Sequence, residues 1–292
     1  MNLAHAALVD RAWLGPWDPD PLLGISLVMA ALLYARGSAT MRSRRTGPSP
    51  ERKRIVAFYA GLTVAALAVM SPLHALAETL LSAHMVQHVV LIVVAAPLLA
   101  YSRPGLPIML GLPAPLQRAL RGDPVLRASR IIRRAIANAP AVWVLGAAAL
   151  WVWHLPGPYD WALRNELGHR LEHFSFVATA LFYWAVVVPR RARLTRHASA
   201  IALTFATGLQ SAALGAILAF ATQPLYPTHA DRAVAWGLSP LTDQQLAGVI
   251  MWVPMGGLYI AIIAALFLGW MREMDRRLPP REVATAETRE PS

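Results

Sequence analysis

Seven long apolar segments constrain this chain more than any other feature of its sequence. A helix that spans a lipid bilayer needs roughly 20 mostly apolar residues, and seven stretches meet that requirement. They cover residues 20–38, 55–72, 77–100, 139–155, 166–189, 197–222 and 241–270. The segments that connect them are too short to bury a soluble core. We therefore expect an all-α integral membrane protein, in which residues 1–278 form one bundle of seven transmembrane helices.

The composition supports the same class of protein. Hydrophobic residues make up 56% of the 292 residues, whereas charged residues make up only 15%. Soluble domains carry about 25% charged residues, so this chain is short of the groups that keep a protein surface in water. The sequence contains no cysteine. Disulfides, thiolate nucleophiles and cysteine-ligated zinc are therefore excluded, and a metal site here would use histidine, methionine or carboxylate ligands.

The positions of the 27 basic residues predict how the chain is oriented. All but four of them lie in the segments 36–54, 101–138 and 190–196 and in the C-terminal segment from residue 272 onward. Along the chain these basic segments alternate with connecting segments that carry few basic residues. Basic residues collect on the cytoplasmic side of a membrane. We therefore expect the N-terminus outside and the C-terminus in the cytoplasm. Orientation and contact with the lipid bilayer explain the net charge of +11 without a nucleic-acid partner.

Two further segments on the cytoplasmic side have distinct character. Residues 124–136 combine arginine with apolar residues at helical spacing, which predicts a helix lying on the membrane surface. The tail 279–292 is polar, and we expect it to be disordered.

Two pairs of histidines fall within the predicted spans. His84 and His88 occur in the sequence HMVQH, and His169 and His173 occur in HRLEH. Residues four apart share one helix face, and both helices are expected to start at the outer side, so the four imidazoles fall in one outer layer. A single transmembrane histidine often only hydrogen-bonds a neighbouring helix. Two pairs in one layer instead favour a metal-binding cluster.

Met251 and Met255 form a third pair with the same spacing, in the last apolar segment. Methionine in a membrane helix usually serves packing. Thioether and imidazole ligands without thiolate are nevertheless suited to copper. The predicted ligands are therefore His84, His88, His169, His173, Met251 and Met255, with copper as the metal.

Acidic residues accompany these pairs. Glu78 lies at the start of the same predicted span as His84, and Glu172 flanks the second histidine pair. Asp243 begins the last span, where Thr242 and Gln245 fit the pattern of a capping box. For Asp243, a role as a helix cap and a role in the site are equally well supported.

Three separated segments resemble a known family. They read MSPLHALAETLLSAHMVQHVVLIVVAAPLLA (70–100), WVWHLPGPYDWALRNELGHRLEHFSF (151–176) and LSPLTDQQLAGVIMWVPMGG (238–257). Together they are similar to the caa(3)-type cytochrome c oxidase assembly factor family, the multi-span kind of CtaG. The resemblance implies a seven-span protein of the bacterial plasma membrane that is needed to mature a haem–copper oxidase and helps copper reach its metal centres.

The resemblance also implies supporting roles for residues around the predicted ligands. These residues are His74, Glu78, Gln87, His154, Glu172, Asp243 and Gln244. The leading hypothesis is a protein that is not an enzyme and that binds copper near the outer face. Its partners would be cytochrome c oxidase subunits or other copper-delivery proteins, and the sequence is compatible with a homo-oligomer.

Three other functions stay open at this stage. The first is a haem-binding electron carrier with one histidine on each side of the ring, limited to a single haem because residues four apart differ by only ~6 Å along a helix. The second is a transporter or proton pathway, for which the cytoplasmic half offers little beyond Thr207, Gln210 and Ser211. A zinc hydrolase ranks last because the sequence has no HExxH signature.

Overall fold

The computed structural model of the protein describes residues 17, 20–44, 51–188, 194–226 and 232–276. Within these ranges the regular structure is helical and contains no strand. The tail 279–292, predicted to be disordered, lies outside the described residues.

The helices follow the predicted apolar segments with shifted ends. In chain order they are α1 (Pro21–Arg44), α2 (Arg52–Met70), α3 (Pro72–Ala77), α4 (Leu81–Ser102), α5 (Gly105–Gly111), α6 (Ala114–Leu120), α7 (Asp123–Ala137), α8 (Ala139–Trp153), α9 (Pro156–Arg164), α10 (Glu166–Val187), α11 (Leu194–Ala219) and α12 (Pro240–Asp275). At the start of the predicted segment 77–100 the chain is broken, because α3 ends at Ala77 and a separate helix begins at Leu81. The amphipathic segment 124–136 is helical as predicted, within α7.

In the part of the chain that the structure describes, five helices are long and apolar enough to cross a membrane, namely α1, α2, α4, α11 and α12. The pair α8 and α9, bent by 75° at their junction, brings the number to six if the two count as one broken span. The helix α10 has 22 residues, but its first half carries Glu166, Arg170 and Glu172, which lower its mean hydropathy. The predicted number of seven spans is therefore not confirmed, and the segment in question is the one that carries the second histidine pair.

The helix α4 contains a π-helical segment, Val90–Ala95. Its cause lies in the sequence, because in a regular α-helix the ring of Pro97 would clash with the carbonyl of Val93. In the wider π turn the N–H of Ala96 donates to the carbonyl of Leu91, five residues earlier. Such turns accommodate a local disruption without ending the helix, and they occur frequently at functional sites.

The π segment also recruits a side chain from α10. Since Ala96 donates to Leu91 and Pro97 has no N–H, the carbonyl of Ile92 has no donor within the helix. The indole Nε1 of Trp184 donates to it at 2.7 Å. This bond joins α10 to α4 just beyond the position of the first histidine pair.

The helices α11 and α12 are in close contact over much of their length. A Cβ atom added at Gly248 would lie 2.6 Å from the carbonyl oxygen of Gly215 and 2.5 Å from the backbone nitrogen of Ala219. Glycine at position 248 is therefore required for this approach. The contact turns the face of α12 that includes Met251 toward the centre of the bundle.

Candidate metal centre

The structure brings the two predicted histidine pairs together. His84 and His88 lie on α4 with ring centroids 4.3 Å apart, and His169 and His173 lie on α10 with the same separation. Between the helices, the rings of His88 and His173 are 5.1 Å apart, and those of His84 and His169 are 6.0 Å apart. Four imidazoles therefore form one compact group, which we call the histidine cluster.

Glu172 points into the histidine cluster from α10. Its Oε1 lies 3.4 Å from Nε2 of His84 and 4.0 Å from Nε2 of His88. One donor atom from each of these three residues lies within 4.8 Å of the others, and all three side chains are buried. Two imidazoles and a carboxylate at this spacing are able to surround one metal ion, with bond lengths near 2 Å.

Several polar atoms of the cluster are buried without a hydrogen-bond partner among the described residues. They are Nδ1 and Nε2 of His88, Nε2 of His169, Nε2 of His173 and Oε2 of Glu172. Each such atom costs about 1–3 kcal/mol in an ordinary protein interior. Five of them at one location leave nitrogen and oxygen atoms of the cluster available to a ligand.

Asp243 fixes the start of the helix that carries His84 and His88. Its Oδ2 accepts a hydrogen bond from the backbone N–H of Leu81 at 2.7 Å. Its Oδ1 accepts from the backbone N–H and the hydroxyl of Ser82, at 3.1 and 2.5 Å. Asp243 thus caps α4, a helix other than its own.

The cap of α12 itself differs from the predicted pattern. Ser239 is the capping residue, and its hydroxyl accepts from the backbone N–H of Thr242 at 3.0 Å. The predicted capping box of Thr242 and Gln245 is wrong, because the amide of Gln245 donates to the carbonyl of Ala221 at 3.1 Å.

His74, Gln87 and Glu78 form a connected group beside the cluster. The ring of His74 stacks on that of His169 at 5.4 Å. The amide of Gln87 donates to the carbonyl of Ala68 at 2.7 Å and to Nδ1 of His74 at 3.1 Å. This leaves the proton of His74 on Nε2, which faces Oε1 of the half-exposed Glu78 at 3.9 Å. These three residues orient the edge of the cluster.

His154 lies at the end of α8, and both its backbone and its ring have defined partners. Its Nδ1 is 2.7 Å from the carbonyl of Leu150, so Nδ1 carries the proton and the buried Nε2 keeps a lone pair. The hydroxyl of Tyr226 donates to the carbonyl of His154 at 2.8 Å. Burial raises the pKa of the Tyr226 phenol, which keeps it a hydrogen-bond donor.

Gln244 binds the loop that precedes Tyr226. Its Oε1 accepts from the backbone N–H of Leu225 at 2.6 Å, and its amide donates to the carbonyl of Gln223 at 3.4 Å. Gln244 therefore holds the loop that presents Tyr226 to His154, and its predicted supporting role is indirect.

Met251 and Met255 line a cavity beside the cluster. The imidazole of His88 lines the same cavity, so the two predicted methionine ligands border one space with one of the four histidines.

Two aromatic side chains that were not among the predicted site residues pack against the histidine cluster. The ring of Tyr159 packs on His84 at 5.6 Å, and the ring of Phe176 packs on His88 at 4.8 Å. Phe176 follows His173 by three residues and therefore shares its helix face. This spacing would have allowed its position beside the cluster to be predicted. Tyr159 belongs to α9, and no local pattern indicates its contact with α4.

A small polar cavity of about 110 Å³ leads to the cluster from the protein surface. It is lined by Ala77, Glu78, His84, Leu163, His169 and Arg232. The guanidinium of Arg232 donates to the backbone carbonyl of Glu78 at 2.5 Å and so supports its rim.

Comparisons with known proteins show which family the chain is similar to. The family described as cytochrome c oxidase caa3 assembly factor matches residues 32–273, a range that includes the whole histidine cluster. The uncharacterized proteins Mb0105 of Mycobacterium bovis and MT0111 of Mycobacterium tuberculosis are each 26% identical over 289 residues. The match covers 93% of this chain but only 42% of each relative, so the chain spans less than half of their length. No solved structure matches the chain. The protein belongs to the cytochrome c oxidase caa3 assembly factor family.

Proposed function

We propose that this protein binds copper in its histidine cluster and delivers it during assembly of a cytochrome c oxidase. The observation that carries the proposal is the convergence of His84, His88 and Glu172, whose donor atoms lie within 4.8 Å of one another in a buried site. Membership of an oxidase assembly family supports the link to the oxidase. Copper as the cargo is the step that we add.

The donor set of the cluster fits copper. It combines imidazoles with one carboxylate, and among divalent first-row metals such nitrogen and oxygen donors bind Cu²⁺ most tightly. His169 and His173 have unpartnered Nε2 atoms nearby and supply alternative ligands. A site with more donors than one ion needs allows ligands to exchange, which suits a protein that must release its metal.

The polar cavity at the rim supports a route for the ion. His84 and His169 lie at its inner end and the half-exposed Glu78 lies at its mouth. A partner that presents its own ligands there takes the ion by stepwise exchange. We expect this partner to be a subunit of the oxidase or another copper-delivery protein.

We further propose seven membrane spans, with α10 as a span in addition to the broken pair α8 and α9. The apolar second half of α10 and the contacts of this helix with α4 and α8 support this arrangement. The distribution of basic residues supports an outer N-terminus and a cytoplasmic C-terminus. In that orientation the cluster lies in the outer half of the membrane.

The topology is testable by single-cysteine labelling, because the chain has no native cysteine. Ala235 and Ala128 are exposed and lie on opposite sides of the proposed membrane. A membrane-impermeant maleimide added to intact cells should label A235C, and should label A128C only after permeabilisation. The reverse labelling would overturn the orientation.

The copper proposal is tested by metal analysis of the purified full-length protein. We expect the wild type to retain copper and the double variant H84A/H88A to lose most of it. A matched control is E166Q, since Glu166 lies on α10 with its side chain 77% exposed and outside the cluster. Normal copper content in H84A/H88A, or normal copper in the oxidase of cells that carry it, would overturn the proposal.

A zinc hydrolase deserves comparison because it uses the same donor set. Two histidines four residues apart and a carboxylate from another helix also hold zinc in hydrolases of the HExxH type. In those enzymes the residue after the first histidine is a glutamate that acts as the base. Here that residue is Met85, which is buried and cannot accept a proton. This supports metal binding without hydrolysis.

The haem alternative has a direct test. The ring of Phe176 packs against His88 at 4.8 Å and against His154 at 6.2 Å, and a haem bound between these two histidines would have to displace it. The absorbance spectrum of the purified, reduced protein decides the question, since a b-type band would favour haem over copper.

A further inference from the structure

A second cavity lies beside the histidine cluster, in the middle of the bundle. It is formed by α4, α8, α10, α11 and α12, and its volume is about 110 Å³. Its walls are mostly apolar and aromatic. Two imidazoles, those of His88 and His154, reach it from the side of the cluster.

Three methionines also line this cavity, and they come from two helices. Met85 follows His84 on α4, and Met251 and Met255 lie one turn apart on α12. Their exposed fractions are 2%, 6% and 6%. The cavity therefore brings three thioethers from α4 and α12 into one space with the imidazole of His88.

The histidines of the cavity have free lone pairs. Neither ring nitrogen of His88 has a hydrogen-bond partner among the described residues, and the same holds for Nε2 of His154. Since the Nδ1 proton of His154 is bonded to the carbonyl of Leu150, its Nε2 is the ring atom that is able to bind a metal.

We propose that this cavity is a second metal site, selective for a soft monovalent ion such as Cu⁺, with Met85, Met251, Met255 and His88 as ligands. The proposal rests on the proposed function in one respect, namely that copper is the metal the protein handles. The proposed cavity site is distinct from the proposed metal site at His84 and Glu172 in the histidine cluster.

Two physical arguments favour a monovalent ion here. The thioethers are soft, neutral ligands, which select Cu⁺ over harder divalent ions, and the imidazole of His88 is a neutral ligand that copper also accepts. Among the described residues, no carboxylate lines the cavity, and the cost of burying an ion in an apolar medium rises with the square of its charge. The histidine cluster, which includes Glu172, is the better place for a divalent ion. Because His88 borders both sites, an ion is able to move between them by exchanging ligands.

The competing explanation is that the methionines only fill space. Met85 and Met251 belong to one apolar cluster with Leu81 and Leu214. Methionine adapts well to irregular gaps. If packing were its whole role, leucine would replace it without any effect on metal binding, because the two side chains have similar volumes.

The experiment uses the full-length protein in detergent and chloride-free buffer, with Ag⁺ as a redox-inert probe for Cu⁺ and Zn²⁺ as the divalent probe. Binding is measured by equilibrium dialysis with elemental analysis. The test variant is M251L/M255L. The control is M271L/M274L, which makes the same change on the same helix at exposed positions.

We expect M251L/M255L to bind Ag⁺ at least tenfold more weakly than the wild type while its Zn²⁺ binding is unchanged. The control should bind both ions like the wild type. Wild-type affinity of M251L/M255L for Ag⁺ would overturn the proposal. So would the absence of any Ag⁺-induced shift of buried methionine signals in methyl-labelled wild-type protein, a measurement that needs no variant.

A further variant separates this proposal from the proposed function. H84A/E172Q removes the pairing that defines the cluster but keeps the methionines. If it loses Zn²⁺ and Cu²⁺ but keeps Ag⁺ binding, both sites stand. If the wild type binds Ag⁺ through its methionines but neither Zn²⁺ nor Cu²⁺, the cluster fails as a metal site and the cavity stands.

Discussion

Asp243 holds Ser82 by two hydrogen bonds to the same carboxylate oxygen, one from the backbone N–H at 3.1 Å and one from the hydroxyl at 2.5 Å. The two residues are 161 positions apart in the chain. The negative carboxylate lies at the positive end of α4, two residues before His84. The last helix of the bundle therefore sets the position at which the histidine-bearing helix begins.

We expect D243N to weaken both the fold and the metal site. Asparagine keeps one acceptor oxygen but replaces the other with an N–H group that faces the backbone N–H donors of α4. Hydrogen bonds to a charged group contribute about 1.5–3 kcal/mol each, so the melting temperature should fall clearly. Copper affinity should fall with it, because the start of α4 is released.

The matched control for D243N is S239A. Ser239 caps α12 itself, and its loss should cost about 1 kcal/mol and leave copper affinity unchanged. Equal copper affinities in D243N and the wild type would show that α4 is positioned by other contacts.

E172Q should separate metal binding from stability. The substitution preserves shape and keeps a carbonyl oxygen able to accept a hydrogen bond from His84, so the metal-free protein should have a stability close to that of the wild type. Its copper affinity should drop tenfold or more. The measurement is the melting temperature with and without copper. The prediction fails if copper raises the melting temperature of E172Q as much as that of the wild type.

W184F tests the support of the π segment. It removes the indole N–H that bonds to the carbonyl of Ile92 and leaves this carbonyl without a donor, which should cost about 1–3 kcal/mol. The control is W153F, which removes the hydrogen bond from Trp153 Nε1 to the hydroxyl of Ser175 at 2.7 Å in a half-buried place. A larger loss of stability in W153F than in W184F would contradict this role.

Two glycines of α12 should respond in opposite ways to alanine. In G248A the added Cβ would lie 2.5 Å from a backbone atom of α11, so the two helices must separate and the protein should lose about 1–3 kcal/mol of stability, the usual cost of overpacking.

In G256A no atom lies within 4 Å of the added Cβ. Alanine there should stabilise the helix by roughly 0.5–1 kcal/mol. Thermal unfolding of both variants in detergent would reveal the difference, and a mild effect of G248A would mean that α11 and α12 are not tightly packed.

The histidine pairs show how much of the site a single sequence predicts. A spacing of four residues puts His84 with His88, and His169 with His173, on one helix face whatever the rest of the chain does. The apolar lengths bring both pairs into the same layer. The contact between α4 and α10 was therefore predictable in outline. The number of membrane spans is harder to predict, because the polar residues of the cluster lower the hydropathy of α10.

The half of the bundle beyond His88 was harder to interpret from the sequence. Residues 89–100 of α4, beyond His88, are entirely apolar, which counts against a polar path in that direction. In the structure Thr207, Gln210 and Ser211 of α11 line the same cavity as His88. The helix periodicity of α4 contains no information about which residues of α11 lie opposite it.

The sequence by itself determined where the helices lie, which side chains share a face and, through its lack of cysteine, which ligand types are available. These are local properties, set by hydrophobic length and helical period. Only the tertiary structure decided that Glu172 meets His84, that Asp243 caps α4 and that Met251 lines a cavity with His88. Those relationships depend on how distant helices cross, and a crossing is the result of packing over the whole bundle, which no local pattern encodes.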